Sequence, residues 1–134
     1  MSKIAKEVAE QDFNRFIEAN DLLVEHDGME KEDRESFGEQ KARIVRAIAK
    51  GHLVINEDGE PVYTPQRSED SKPLTFHEPT GASLMAMDRK KKNEDVGKLY
   101  ATMGDMTRTD AKTFSSMKMA DLKVCMAVTV LFLG

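Results

Sequence analysis

The apolar positions in the first third of the chain recur every three or four residues, which is typical of amphipathic helices. The pattern predicts one helix over about residues 3–24 and a second that begins near Lys31 or Asp33 and ends at Lys50. The predicted apolar stripes contain Ile4, Val8, Phe13, Phe16, Ile17 and Leu23 in the first helix, and Phe37, Ile44, Val45 and Ile48 in the second. We therefore expect an antiparallel helical hairpin at the N-terminus.

The middle of the chain changes to short runs of β-prone residues. Two runs, at 52–55 and 61–64, flank an Asp-Gly turn at residues 58–59. This arrangement is typical of a β-hairpin. Alternating apolar residues at 74–78 predict a third strand, so we expect a small β-hairpin or a three-stranded sheet.

Helical spacing returns after residue 80. Thr80 is placed to cap a helix that starts at residue 82, and a further helix is predicted from Asn93. After a break at residues 107–109, Thr109 is placed to cap a final helix over residues 110–133. The predicted fold class is thus α+β and mainly helical, with a helical hairpin, a small sheet and a C-terminal helical part.

Charge is uneven along the chain. Residues 1–60 hold 15 acidic and 9 basic side chains, whereas residues 61–134 hold 9 acidic and 11 basic ones. We expect an acidic hairpin over residues 1–51 and a sheet-plus-helix part over residues 52–134, either as two segments or as one continuous domain. This balance does not favour a nucleic-acid-binding protein, which normally has a pronounced basic face.

Motifs of catalysis and of metal binding do not stand out. His26, His52 and His77 are far apart in sequence, and no Cys or paired-His spacing supports a metal site. Cys125 lies among apolar neighbours, which favours a core cysteine over a catalytic thiolate. The sequence has no glycine-rich phosphate loop and no nucleophile elbow, so we expect neither an enzyme nor a cofactor.

Two features of the second half point to surfaces. Seven of the nine methionines lie beyond residue 80, and Met suits adaptable binding surfaces as well as loose cores. The run 89–92 is four cations, which would either contact phosphate or form a solvated helix end. Both interpretations of each feature remain open at the level of sequence.

The C-terminal run at residues 124–133 is apolar at nearly every position. Ten residues are too few to span a bilayer as a helix, and the N-terminus lacks the apolar core of a signal peptide. An exposed segment of this kind would aggregate. We expect it to be buried in its own domain, in a symmetric partner or in a client protein, with a 134-residue chain offering little material to cover it.

The order of these elements resembles that of tail assembly chaperones of long-tailed bacteriophages. The resemblance covers about residues 52–134 and rests on the hairpin, on LTFHEPTGASLMAMDR (residues 74–89), on a helix with Leu99, Tyr100 and Met103, and on MADLKVCMAVTVLFLG (residues 119–134). Residues 1–51 have no counterpart in it.

The resemblance implies a non-enzymatic assembly factor that coats the tape-measure protein, helps to recruit tail-tube subunits, and self-associates in the cytoplasm of an infected or lysogenic bacterium. On this hypothesis the partner-binding residues are Leu84, Met85, Met87, Leu99, Met103, Val130 and Phe132. The alternatives are a structural tail or head-completion protein of a phage, and a small phage-encoded regulator that binds a host protein.

Overall fold

Five helices and three strands make up the part of the chain that the computed structural model describes, which is residues 5–22, 31–66, 72–81 and 95–133. The elements are α1 (Lys6–Ala19), α2 (Lys31–Ala49), β1 (Leu53–Ile55), β2 (Pro61–Tyr63), β3 (Leu74–Thr75), α3 (Asp95–Thr107), α4 (Ala111–Ser115) and α5 (Met119–Leu133). The predicted mainly helical α+β fold is confirmed. The predicted turn at residues 26–28 and the helix predicted from residue 82 lie outside the described ranges.

Most of the described residues in the predicted apolar stripes of α1 and α2 are buried, while Ile4 and Leu23 lie outside the described ranges. Phe13, Phe16 and Ile17 of α1 are buried, as are Ile44 and Ile48 of α2. The two helices pack against each other, and the ring of Phe13 lies 6.3 Å from that of Phe37. Val8 departs from the prediction, because its side chain is 44% exposed.

The end of α2 is set by Gly51. The Gly51 amide donates to the Ile48 carbonyl and the His52 amide donates to the Ala47 carbonyl, each at 3.0 Å. Gly51 has a φ of +80°, the left-handed conformation that this helix ending requires and that glycine adopts without strain. The chain is thereby turned directly into β1.

The three strands form an antiparallel sheet in the order β1-β2-β3. Leu53 pairs with Tyr63 and Tyr63 pairs with Leu74, and all three side chains are buried on one face. The predicted third strand is shorter than expected, although the Phe76 amide extends the pairing by donating to the Pro61 carbonyl at 2.8 Å. The apolar alternation of these strands therefore sets one face against the core.

The β1–β2 turn is fixed both internally and by α1. The Asn56 Oδ1 accepts hydrogen bonds from the amides of Asp58 and Glu60, at 3.0 and 2.9 Å. Arg15 donates to the carbonyls of Ile55 and Asn56 at 2.7 and 2.9 Å. In addition, the Asn20 side chain donates to the Gly59 carbonyl at 3.0 Å. These bonds hold the hairpin against the C-terminal half of α1.

The predicted single helix over residues 110–133 is wrong, because the chain forms two helices there. The N-cap of α4 is Asp110, not Thr109: its Oδ1 accepts a hydrogen bond from the Thr113 amide at 3.0 Å. The Ser116 hydroxyl donates to the Lys112 carbonyl at 2.8 Å, and the helix ends at that turn. Side chains of this kind compete with backbone hydrogen bonds, which explains the interruption before α5.

One hydrophobic core joins residues from both predicted segments. It contains buried side chains of α1, α2, the sheet, α3, α4 and α5. The ring of Phe16 in α1 packs edge-on against that of Phe132 in α5, with centroids 5.2 Å apart. The core is therefore continuous across the boundary at residues 51–52.

Candidate partner-binding surface

Helix α5 is apolar on nearly all sides, and the chain itself covers most of it. Its buried residues pack against α2 and α3; they include Leu122, Val124, Cys125, Ala127, Val128, Thr129 and Phe132. Thr129 satisfies its hydroxyl within the helix by donating to the Cys125 carbonyl at 2.9 Å. Of the three alternatives given for this segment, burial in its own domain therefore holds for these positions.

A narrow strip of α5 stays accessible. Met119 is 60% exposed and Val130 is 40% exposed, Lys123 is exposed, and Met126 is half-buried. These four positions are spaced i, i+4, i+7 and i+11, so they follow one face of the helix. We name Met119, Lys123, Met126 and Val130 the α5 stripe.

The sequence-predicted partner-binding residues fall into three groups. Val130 lies in the α5 stripe, and Leu99 of α3 is half-buried at the edge of the core. Met103 and Phe132 are buried in the chain's own core. The remaining three, Leu84, Met85 and Met87, lie outside the described residues. The structure thus leaves Val130 as the most exposed of the described four.

Burial of Met103 and Phe132 has a packing reason. Each occupies a position on its helix that faces the core: Met103 has no exposed surface, and Phe132 stacks edge-on with Phe16. A partner would reach either side chain only if the surrounding helices separated. Sequence periodicity marks such positions as apolar without showing whether the covering surface belongs to the same chain.

A buried carboxylate fixes the first turn of α5 to the sheet. Asp121 is only 2% exposed, and its Oδ1 accepts hydrogen bonds from the Tyr63 hydroxyl at 2.6 Å and from the Gln66 amide at 2.8 Å. Burying a charge is unfavourable unless it is hydrogen-bonded, and these donors meet that need. The apolar pattern of the sequence did not predict this role, although an acidic residue at the start of an apolar helix was a signal for it.

Two buried acids of the core hold their protons strongly. Burial, followed by the hydrogen bond and the negative charge of Asp121, raises the pKa of the Tyr63 phenol well above its usual value. Burial and, secondarily, the charge of Asp121 raise the pKa of the Cys125 thiol in the same direction. Such a thiol is not a nucleophile at neutral pH.

We expect these two groups to make the protein less stable in alkaline solution. The unfolded chain releases the thiol proton near pH ~8.5 and the phenol proton near pH ~10, whereas the folded protein keeps both to higher pH. The unfolded state then binds fewer protons, so the free energy of unfolding falls as pH rises, by up to about 1.4 kcal/mol per pH unit for each group. Urea unfolding followed by circular dichroism between pH 7 and 11 measures this slope.

The matched variant for this prediction is Cys125→Ala, which removes the group that titrates first. Its unfolding free energy should be lower than that of the native chain at pH 7 because a small cavity remains. Between pH ~8.5 and ~10, the unfolding free energy of Cys125→Ala should fall less steeply with pH than that of the native chain. An unchanged slope would contradict the assignment of this window to Cys125.

Within the described ranges, no three His, Cys, Asp or Glu side chains come together in a way that could hold a metal ion. None of the helices placed there is both long enough and apolar enough to cross a membrane.

Comparison with protein-family models, with curated proteins and with solved structures finds no significant match to this chain.

Proposed function

We propose that the protein is a non-enzymatic tail assembly chaperone of a long-tailed bacteriophage. It binds the tape-measure protein, keeps it soluble and helps to recruit tail-tube subunits, in the cytoplasm of an infected or lysogenic bacterial host. Self-association is part of this proposal. The sequence resemblance over residues 52–134 supplies the name of the client.

The observation that carries the proposal is the α5 stripe. It presents Met119, Met126 and Val130 along one helical face, with a single cation, Lys123, between them. An amphipathic client helix is recognised by such apolar contacts at helical spacing. Methionine adapts its shape to different partners, which suits binding at many places along a long helical client.

Charge supports the same proposal. The whole chain has a net charge of −4, and the acidic excess is concentrated in its first 60 residues. Exposed acids among these residues include Glu7 on α1 and Glu35 on α2. A net charge away from zero keeps proteins soluble, which a carrier of an aggregation-prone client requires.

The decisive experiment compares two exposed valines on helices. The full chain is co-expressed with the tape-measure protein of the same phage, and the soluble fraction of that client is measured together with its affinity in vitro. Val130→Asp places a charge in the stripe, and we expect at least about tenfold weaker binding because the carboxylate must be desolvated. Val8→Asp, at a residue of similar exposure in the first turn of α1, should bind normally.

Val130 alone is the right position for this test. Phe132→Asp would put a charge into the buried contact with Phe16, so a loss of binding would reflect unfolding. Circular dichroism must show that both valine variants stay folded. Equal client binding by the native chain, Val130→Asp and Val8→Asp would overturn the role of the stripe, and a client that is insoluble with all three would overturn the function.

Self-association is measured in the same set of proteins. If the stripe also joins copies of this chain, Val130→Asp lowers the mass found by light scattering and Val8→Asp does not. If the native chain, Val130→Asp and Val8→Asp all have the same mass, the stripe is not the surface through which copies of the chain associate.

A further inference from the structure

A basic cleft lies between the C-terminal half of α2, the segment around β1 and β2, and the start of α5. Its volume is about 480 Å³. Four cationic side chains line it: Arg43, Arg46, Lys50 and Lys123. His52, Gln66 and Ala120 complete much of its wall. Clefts of roughly 300–1,000 Å³ are the usual size of small-molecule sites.

The charge in this cleft is strongly positive. Among the described residues that line it, Asp121 is the one acidic residue, and its carboxylate is buried and accepts hydrogen bonds from Tyr63 and Gln66. Within the part of the chain that the structure describes, none of the four cations has an ion-pair partner. All four residues are exposed and line a concave surface, where low-dielectric walls strengthen the field of like charges.

Helix-end electrostatics explain only part of this cluster. Cations near the C-terminus of a helix interact favourably with its dipole, which accounts for Arg46 and Lys50 at the end of α2. Arg43 lies a further turn inside α2, and Lys123 belongs to a different helix. The first turn of α5, where partial positive charge accumulates, also contributes Ala120 to the wall. The whole chain has a net charge of −4, whereas these four cations make the cleft locally positive.

We infer that the basic cleft binds a small phosphate-bearing anion. Arg43 and Arg46 lie three residues apart on one face of α2, and planar guanidinium groups match phosphate oxygens through paired hydrogen bonds. Lys50, one turn further along the same face, and Lys123 of α5 add point charges on flexible side chains. The cleft has room for a phosphate group together with the small molecule that carries it. The cleft shares Lys123 with the α5 stripe, but phosphate binding there does not depend on the client-binding function.

The experiment titrates the full chain with inorganic pyrophosphate and with adenosine monophosphate by isothermal calorimetry, at constant ionic strength. The test variant is the double substitution Arg46→Gln with Lys123→Gln. The matched control is Arg34→Gln with Lys112→Gln, which removes one Arg and one Lys at exposed positions that do not line the cleft. Both variants therefore have the same net charge.

We expect saturable one-to-one binding of at least one phosphate probe to the native chain. The test variant should bind that probe at least about tenfold more weakly, since two charged contacts are lost, and the control should stay within about twofold of the native chain. Val130→Asp should leave phosphate binding unchanged, so failure of the client-binding proposal is distinguishable from failure of this one.

Three results would overturn the inference. The first is that neither phosphate probe saturates the native chain. The second is equal weakening in the test variant and the control, which would indicate diffuse attraction by net charge. The third is that a hexaglutamate peptide binds in the cleft while both phosphate probes do not, which would assign the cleft to an acidic segment of a protein partner.

Discussion

Asp121→Ala is expected to lower the free energy of unfolding by about 3–5 kcal/mol. The change removes the acceptor of the Tyr63 hydroxyl and of the Gln66 amide, and hydrogen bonds to a charged group contribute roughly 1.5–3 kcal/mol each. The phenol would also remain buried without its short bond to the carboxylate. Urea unfolding at pH 7, followed by far-UV circular dichroism, measures the difference.

Two further variants make that result specific. Asp121→Asn keeps an oxygen acceptor at the same position without the charge, so it should lose less stability than alanine does. Glu35→Ala removes one acidic side chain from the exposed surface of α2 and should change stability by no more than about 0.5 kcal/mol. If Asp121→Ala is no more destabilising than Glu35→Ala, Asp121 does not anchor α5.

The second large effect is expected at Gly104, in the interior of α3. A Cβ atom there would lie 2.7 Å from the carbonyl carbon of Asp110 and 2.9 Å from its Cα, which are backbone atoms that cannot rotate away. Gly104→Ala should therefore destabilise the protein by about 1–3 kcal/mol through overpacking, and its melting temperature should fall. Helix propensity alone predicts that Gly104→Ala stabilises the protein, because alanine is favoured over glycine in a helix by about 1 kcal/mol.

Gly38 provides the matched control for this substitution. It lies in the interior of α2, and a Cβ atom built on it meets no other atom within 4 Å. Gly38→Ala should stabilise the protein by up to about 1 kcal/mol. If Gly104→Ala destabilises the protein and Gly38→Ala stabilises it, the tight approach of Asp110 to α3 is demonstrated. If both substitutions stabilise it, the segment after α3 moves to make room for the added Cβ atom.

Sequence periodicity identified those parts of the fold in which local and tertiary preferences agree. The helical pair, the Asp-Gly hairpin and the stop at Gly51 each combine an apolar pattern with a residue that suits the local backbone. The approximate positions of α2, β1 and β2 were therefore predictable. The ends of the helices were less predictable. For example, α1 was expected to begin at residue 3, and the described helix begins at Lys6.

The wrong predictions for the final helix and its N-cap have identifiable causes. Residues 110–133 are continuously helix-compatible in composition, so periodicity could not detect that hydroxyl side chains end α4 and that α5 starts afresh. Asp110 has the better capping oxygen, and the Thr109 hydroxyl is instead bonded to that of Thr107 at 2.8 Å. These outcomes depend on side-chain hydrogen bonds, which an apolar pattern does not contain.

The candidate surface was predictable only in part. The sequence marked Val130 and Phe132 alike as apolar residues of one helix, but one is exposed and the other packs on Phe16 from a distant segment. The basic cleft was not predicted either, because Arg43 and Lys123 are eighty positions apart in the chain. Long-range packing decides both features.

The position of Cys125 makes the protein suitable for chemical labelling. It is the only cysteine in the sequence, and its side chain lies on the buried side of α5 with no exposed surface. A thiol reagent can reach it only after α5 separates from the helices that cover it, so the labelling rate reports the frequency of that opening. A client that binds only the α5 stripe should leave the labelling rate of Cys125 unchanged or lower it. A client that contacts the buried Met103 or Phe132 should raise that rate, because the helices must separate first.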